Sequence, residues 1–303
     1  MYTGPVEMSD PSTAPQGERW FWLSVWISLS SLLFLKPVSA LLKLFLSRDD
    51  ASYLIIVPFI SGVVLYLDRQ RLFQKVSTDK ILGGIFFILA SLVILISFLG
   101  KDSAEDGMQL SAWILALTLL WVSGFAYLFG RSALKAASFP FFFLLLMIPI
   151  PAFVLDRIIL LLQEGSAWIT GQFFDLAGIP ALREGLVFHL AKVNIQVAKE
   201  CSGIRSSMAL FILALLVAHF RLRSLWNKIL FVVIGLLMMI IKNGIRIATL
   251  TLLAVYVDPG FLFGRLHYQG GVVFFLLALL LLLPVLILLE RAESKKYALV
   301  KSS

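Results

Sequence analysis

The stretch GVVFFLLALLLLLPVLILL, residues 271–289, carries no charged side chain over a length that crosses a bilayer as a helix, because roughly 20 residues at about 1.5 Å each span about 30 Å of hydrocarbon. Its reading as a membrane helix decides the fold class. Working back from it, residues 265–270 are polar, Asp258-Pro259-Gly260 is a turn, and another long apolar run covers about 229–257. Further runs at about 203–218, 139–155, 110–129, 81–99, 53–67 and 20–35 bring the total to about eight spans. Only helices and closed barrels satisfy every backbone N–H and C=O inside lipid, and runs of this length select helices. The chain is read as an all-α polytopic membrane protein: one transmembrane domain over 20–289, a polar tail over 1–19 and a basic tail over 290–303.

Composition agrees. Hydrophobic residues make up 60% and charged residues 15%, against about 25% charged in soluble domains, which argues against a soluble protein. The net charge of +8 is dispersed through short loops, so it points to loop orientation and not to nucleic acid. Arg69, Arg71, Lys75 and Lys80, then Arg131 and Lys135, then Arg221, Arg223 and Lys228 fall on the side of the two tails, and the opposite loops hold fewer. Both termini are therefore expected on the cytoplasmic side. A single cysteine allows no internal disulfide, and His189, His219 and His267 show no metal-ligand spacing, so no metal or other cofactor is expected.

The longest polar excursion runs from Asp156 to Glu200. In its first part, 157–176, apolar positions are broken by Gln163, Glu164, Thr170, Gln172 and Asp175, which reads as a helix lying along the interface. Gly178-Ile179-Pro180 stops it. Beyond Gly185, Leu186, Phe188 and Leu190, then Val193, Ile195 and Val197, alternate with their neighbours, and this period of two predicts a short β-hairpin leading into Cys201.

Three separated segments supply residues with chemistry. Cys201 lies where polar sequence turns into the sixth span; with Ser202 as N-cap, its thiol sits at a helix N-terminus, where free N–H groups and the macrodipole favour thiolate, and Arg205 adds charge one turn on. Arg246 is a charge inside the seventh span, with Asn243 and Lys242 three and four residues before it, and such a charge marks a functional or cavity-facing position. His267, just before the eighth span, is a base of suitable pKa, with Gly270 and Gly271 beside it. His189 on the hairpin is a rival base. The topology brings all of these to one membrane face, opposite the tails.

These residues resemble a known family. Ala198-Lys-Glu-Cys-Ser-Gly-Ile-Arg-Ser206, Asn243-Gly-Ile-Arg246 and His267-Tyr-Gln-Gly-Gly271 are similar, in this order, to the three motifs of the exosortase/archaeosortase family, as are Ile148-Pro-Ile-Pro151 and Arg183-Glu-Gly185. The resemblance implies a cysteine peptidase or transpeptidase of the bacterial inner membrane, with its active site on the periplasmic side. Its implied partners are exported proteins carrying a C-terminal sorting signal: a short motif, often Pro-Glu-Pro, then one membrane helix and a basic cluster. Carried over, Cys201 is the nucleophile, Arg246 the assisting cation and His267 the third catalytic residue, with Glu200, Ser202, Gly203, Arg205 and Asn243 in support. A histidine at the third position is similar to the bacterial members. Two other readings stand beside this one: a transporter or channel binding an anion at Lys242 and Arg246, and a non-catalytic factor in exopolysaccharide assembly.

Overall fold

A computed structural model describes residues 16–48, 51–72, 76–99, 107–191, 193–199, 203–262 and 270–302. The helices are α1 (Gln16–Leu33), α2 (Leu35–Ser47), α3 (Ile56–Leu67), α4 (Arg69–Leu72), α5 (Lys80–Leu99), α6 (Met108–Ala136), α7 (Ser138–Leu144), α8 (Ala152–Leu176), α9 (Ile204–Arg221), α10 (Leu225–Tyr256) and α11 (Gly271–Ser302). A three-stranded antiparallel sheet, ordered β1 (Ala181–Glu184), β2 (Val187–Leu190), β3 (Asn194–Gln196), lies between α8 and α9. The all-α polytopic class is thus observed. Among the described residues, five helices are long and apolar enough to cross a membrane, and seven spans result if two broken helix pairs each count as one.

Several boundaries differ from the sequence reading for local reasons. In place of a span over 53–67 stands the 12-residue α3, preceded by turns at 51–55; Pro58 is in its first turn, where a missing N–H breaks no helical bond. The first apolar run breaks at Phe34 into α1 and α2, which diverge by 79°. After Met147 the Ile148-Pro-Ile-Pro151 run interrupts the helix, as its prolines require. Residues 290–302, read as a tail, continue α11.

The chain forms two compact units, Met1–Phe153 and Val154–Ser303. In the first, α6 is the central helix. Ser123 Oγ donates to Gly83 O (2.9 Å) where α5 crosses it, and Trp26 Nε1 donates to Leu120 O (2.7 Å). Arg19, read as part of the polar tail, is buried in α1 with Nη1 donating to Leu128 O at 2.8 Å. At Gly130 (φ 79°) α6 breaks, and a Cβ there would lie 2.0 Å from Ser77 O. The segment before α5 runs against this break, with Asp79 N donating to Tyr127 O (3.2 Å).

In the second unit α9, α10 and α11 pack around Leu210, Ala214, Ala218, Phe231, Met239, Ala278 and Leu282. Glu293 of α11 closes the α9–α10 turn: its carboxylate accepts from Arg223 N (2.9 Å), Ser224 N (2.8 Å) and Asn227 Nδ2 (2.9 Å). It thereby satisfies the two backbone N–H groups just ahead of the first turn of α10, where Ser224, the N-cap, makes no side-chain cap of its own. The sheet rests on α8 through Phe188, whose ring meets Phe174 edge-on at 5.3 Å. The predicted hairpin is β2–β3; β1 adds a third, largely exposed strand whose Arg183 and Glu184 hide any alternation.

Candidate active site

Three elements of the second unit meet at Asn243 of α10, which is 1% exposed. From α8, Ser166 Oγ accepts a hydrogen bond from Asn243 Nδ2 at 3.0 Å. From the start of α9, Gly203 packs so closely that a Cβ on it would lie 2.9 Å from Asn243 Oδ1. Gly203 also has φ 68° and ψ 22°, a left-handed conformation that glycine adopts without a steric penalty. Both constraints select glycine here. The next residue of α10, Gly244, has the same role against α8, since a Cβ there would lie 2.4 Å from Ile169 Cγ2 and 3.1 Å from Ser166 O. Its carbonyl accepts from Thr170 Oγ1 at 3.2 Å, so small residues let two membrane helices approach and hydroxyls bridge them.

Lys242, 3% exposed, donates to Ser206 Oγ of α9, and Ser206 Oγ donates to Gly203 O at 3.0 Å. The hydroxyl therefore accepts from the cation and donates its single proton to the backbone. The same carbonyl accepts the first helical bond of α9, from Ser207 N at 2.9 Å. Arg246 is half-buried one turn beyond Lys242 on the same helix, and Arg205 is exposed in the first turn of α9. Lys242, linked to Gly203 O through Ser206, and the N-terminal end of α9 thus raise the potential around Gly203. Negative charge is favoured at this point.

One detail of the sequence reading is corrected. The N-cap of α9 is Gly203, not Ser202, and among the described residues no side chain caps the helix; the left-handed turn and the Ser206 hydroxyl organise its start. Glu200, Cys201, Ser202 and His267 lie outside the described residues. Of the expected site residues the structure brings together Gly203 and Asn243, adds Lys242 to them, and sets Arg246 on the following turn of α10. His189 stands in the middle strand between Leu182 and Asn194, with Nδ1 3.1 Å from Asn194 Oδ1 and Nε2 3.5 Å from Glu184 Oε2, so it ties the sheet together.

Ser166, Thr170, Gln163 and Ser206 were not singled out by sequence reasoning. Gln163 and Thr170 were read as marks of an interfacial helix, yet both are buried. With Ser166, Ala167 and Phe174 they form the inner face of α8, and Gln163 Nε2 donates to Val197 O at 2.6 Å. The signal was available in their spacing: residues 163, 166, 167, 170 and 174 recur at the helical period. Lys199 Nζ reaches Asp156 Oδ1 at 2.8 Å, and Val197 N bonds Leu186 O at 2.9 Å, so the strand leading to the cysteine is fixed to α8 and to the sheet.

A helical membrane protein whose buried lysine, amide and hydroxyls gather at a helix start just downstream of its only cysteine belongs to the class of polytopic proteins with a polar site among their spans. The particular family comes from comparison: residues 45–284 match the model of the transmembrane exosortase family (Exosortase_EpsH), and the chain belongs to that family. The match runs through both units and contains every site residue named above. No curated protein and no solved structure matches the chain.

Proposed function

We propose that this exosortase is a membrane-embedded cysteine peptidase and transpeptidase that removes C-terminal sorting signals from exported, tail-anchored proteins at the periplasmic face of the bacterial inner membrane. The observation that carries the reading is the approach of Gly203 to Asn243, which joins the segment after Cys201 to the polar turn of α10 inside the region matched by the family. The Cys201 thiolate attacks the scissile carbonyl and the C–N bond breaks, leaving a thioester on the enzyme. Arg246 stabilises the tetrahedral oxyanion, and Asn243 supports it by holding the start of α9 against α10. His267 gives a proton to the departing amine and then takes one from the second nucleophile, whose oxygen or nitrogen displaces the thiol. Glu200, Ser202, Gly203 and Arg205 shape the segment around the nucleophile.

A membrane-anchored substrate suits this arrangement, because its own helix delivers the scissile peptide to the bilayer surface and confines the encounter to two dimensions. An anion-transport reading of Lys242 and Arg246 calls for a broken helix at the pair, and α10, which carries both, runs unbroken from Leu225 to Tyr256. The experiment is to trap the acyl-enzyme: membranes holding the protein and a tail-anchored reporter are quenched in acid, and the Cys201 peptide is weighed. An adduct of reporter mass that neutral hydroxylamine removes is expected. Reporter cleavage with an unmodified Cys201 under all quench times would refute the covalent route.

A further inference from the structure

Unit 1 has no part in the chemistry above, yet it contains a built groove. Helices α5, α6 and α7 enclose an open cleft of about 480 Å³, inside the roughly 300–1,000 Å³ range of small-molecule sites. Its wall is almost wholly apolar, with Leu82 and Phe86 from α5, Val122 from α6 and Phe141 from α7 along its length. The helices fix the direction of the groove. Ser123 bonds Gly83 of α5, and Phe125 of α6 meets Phe141 of α7 at 4.8 Å, so these residues share one level. Leu119 and Leu145 then stand at one end, and Arg131, Lys135 and Ser138 at the other.

The polar end exists because α6 breaks. Gly130, held in its left-handed conformation against Ser77 O, sets Arg131 and Lys135 on a separate last turn, where i, i+4 spacing places both on one face. Both residues are exposed, and they line the groove almost wholly with their aliphatic stems, which leaves the charged heads at its mouth. Asp79, the carboxylate that opens α5 at this level, is occupied in accepting Leu82 N–H at 2.9 Å. From Leu119 to Phe129, just before the break, the helix rises about 15 Å, one leaflet, or half of about 30 Å of hydrocarbon. A ligand that fits is apolar for the depth of a leaflet and anionic at its end. A basic pocket between membrane helices is the kind of site that binds phospholipid head groups.

We propose that this groove is a binding site for one anionic phospholipid of the surrounding bilayer, with an acyl chain along α5, α6 and α7 and its phosphate between Arg131, Lys135 and Ser138. The site is independent of the peptidase reading, since it shares no residue with the region around Asn243. Specificity resides in the two cations, which distinguish an anionic from a zwitterionic head group, whereas the apolar wall accepts either chain.

The test uses the full chain reconstituted in vesicles of equimolar phosphatidylglycerol and phosphatidylcholine with matched acyl chains, and native mass spectrometry of the released protein. The wild type is expected to retain phosphatidylglycerol over phosphatidylcholine by on the order of tenfold, and Arg131→Gln/Lys135→Gln to bring the ratio near unity. Leu145→Trp, which fills the apolar end, is expected to lower retention of both lipids, and it decides the matter should the charge variant fail to fold. Equal retention of the two lipids by the wild type would overturn the proposal, as would an unchanged preference in the charge variant or unchanged retention in Leu145→Trp. Displacement of the lipid by millimolar inorganic phosphate would also overturn it, by assigning the cations to free phosphate.

Discussion

Replacing Gly203 by alanine tests the geometry at the head of α9 with a built-in control. A left-handed alanine costs about 1–2 kcal/mol wherever it occurs. At Gly203 the new methyl also lies 2.9 Å from Asn243 Oδ1, and such overpacking adds about 1–3 kcal/mol. Gly185 has nearly the same φ, 61° against 68°, but nothing stands within 4 Å of a Cβ there, so Gly185→Ala incurs the backbone cost alone. Thermal or denaturant unfolding in detergent should show Gly203→Ala as the more destabilised by the overpacking increment. In an Asn243→Ala background that increment should vanish, giving a coupling of about 1–3 kcal/mol in a double-mutant cycle. Processing of a tail-anchored reporter should fall at least about tenfold in Gly203→Ala, because a displaced Asn243 misplaces the polar turn, and stay near wild type in Gly185→Ala. Equal losses for the two glycines, or an additive cycle, would refute the claim that Gly203 and Asn243 are packed against each other for function.

Three further perturbations follow from the same unit and its neighbour. Gly244→Ala should destabilise by about 1–3 kcal/mol through its contact with Ile169, whereas Gly84→Ala in α5, with open space around its Cβ, should gain up to about 1 kcal/mol; unfolding midpoints distinguish the two signs. Lys242→Met and Ser206→Ala should each slow reporter processing, and the double variant should lose little more than Lys242→Met alone, since both cut one relay to Gly203 O; a multiplicative loss contradicts the relay. Glu293→Ala, which strips two backbone N–H groups and Asn227 of their acceptor at a residue 7% exposed, should cost about 1–3 kcal/mol, read as a lowered unfolding temperature.

The membrane class was legible because hydrocarbon imposes a minimum length on apolar runs, and 81–99, 110–129, 203–218, 229–257 and 271–289 each meet a helix that qualifies as a span. The lysine and amide of α10 were legible as outliers for the same reason: polar groups are rare where lipid surrounds the chain. The shortness of α3 was hidden, since residues 51–55 form turns that bury Ala51 and Leu54, and composition does not separate a turn packed on protein from a helix in lipid. The helix over 157–176 was legible, but its buried polar face was not, because composition does not show that Gln163, Ser166 and Thr170 share one side. Gln163, Ser166 and Thr170 bond instead to Val197 O, Asn243 Nδ2 and Gly244 O of other segments. Gly203 as helix cap was not legible: whether a cap is a serine side chain or a left-handed glycine depends on Asn243, forty residues away.

Cys201, the one thiol of this chain, is the proposed nucleophile. Cys201→Ala, produced in cells that also export a tail-anchored reporter with a sorting signal, tests that role most directly. The variant should accumulate in the membrane like the wild type and release no processed reporter. Processing at the wild-type rate by Cys201→Ala would contradict that role.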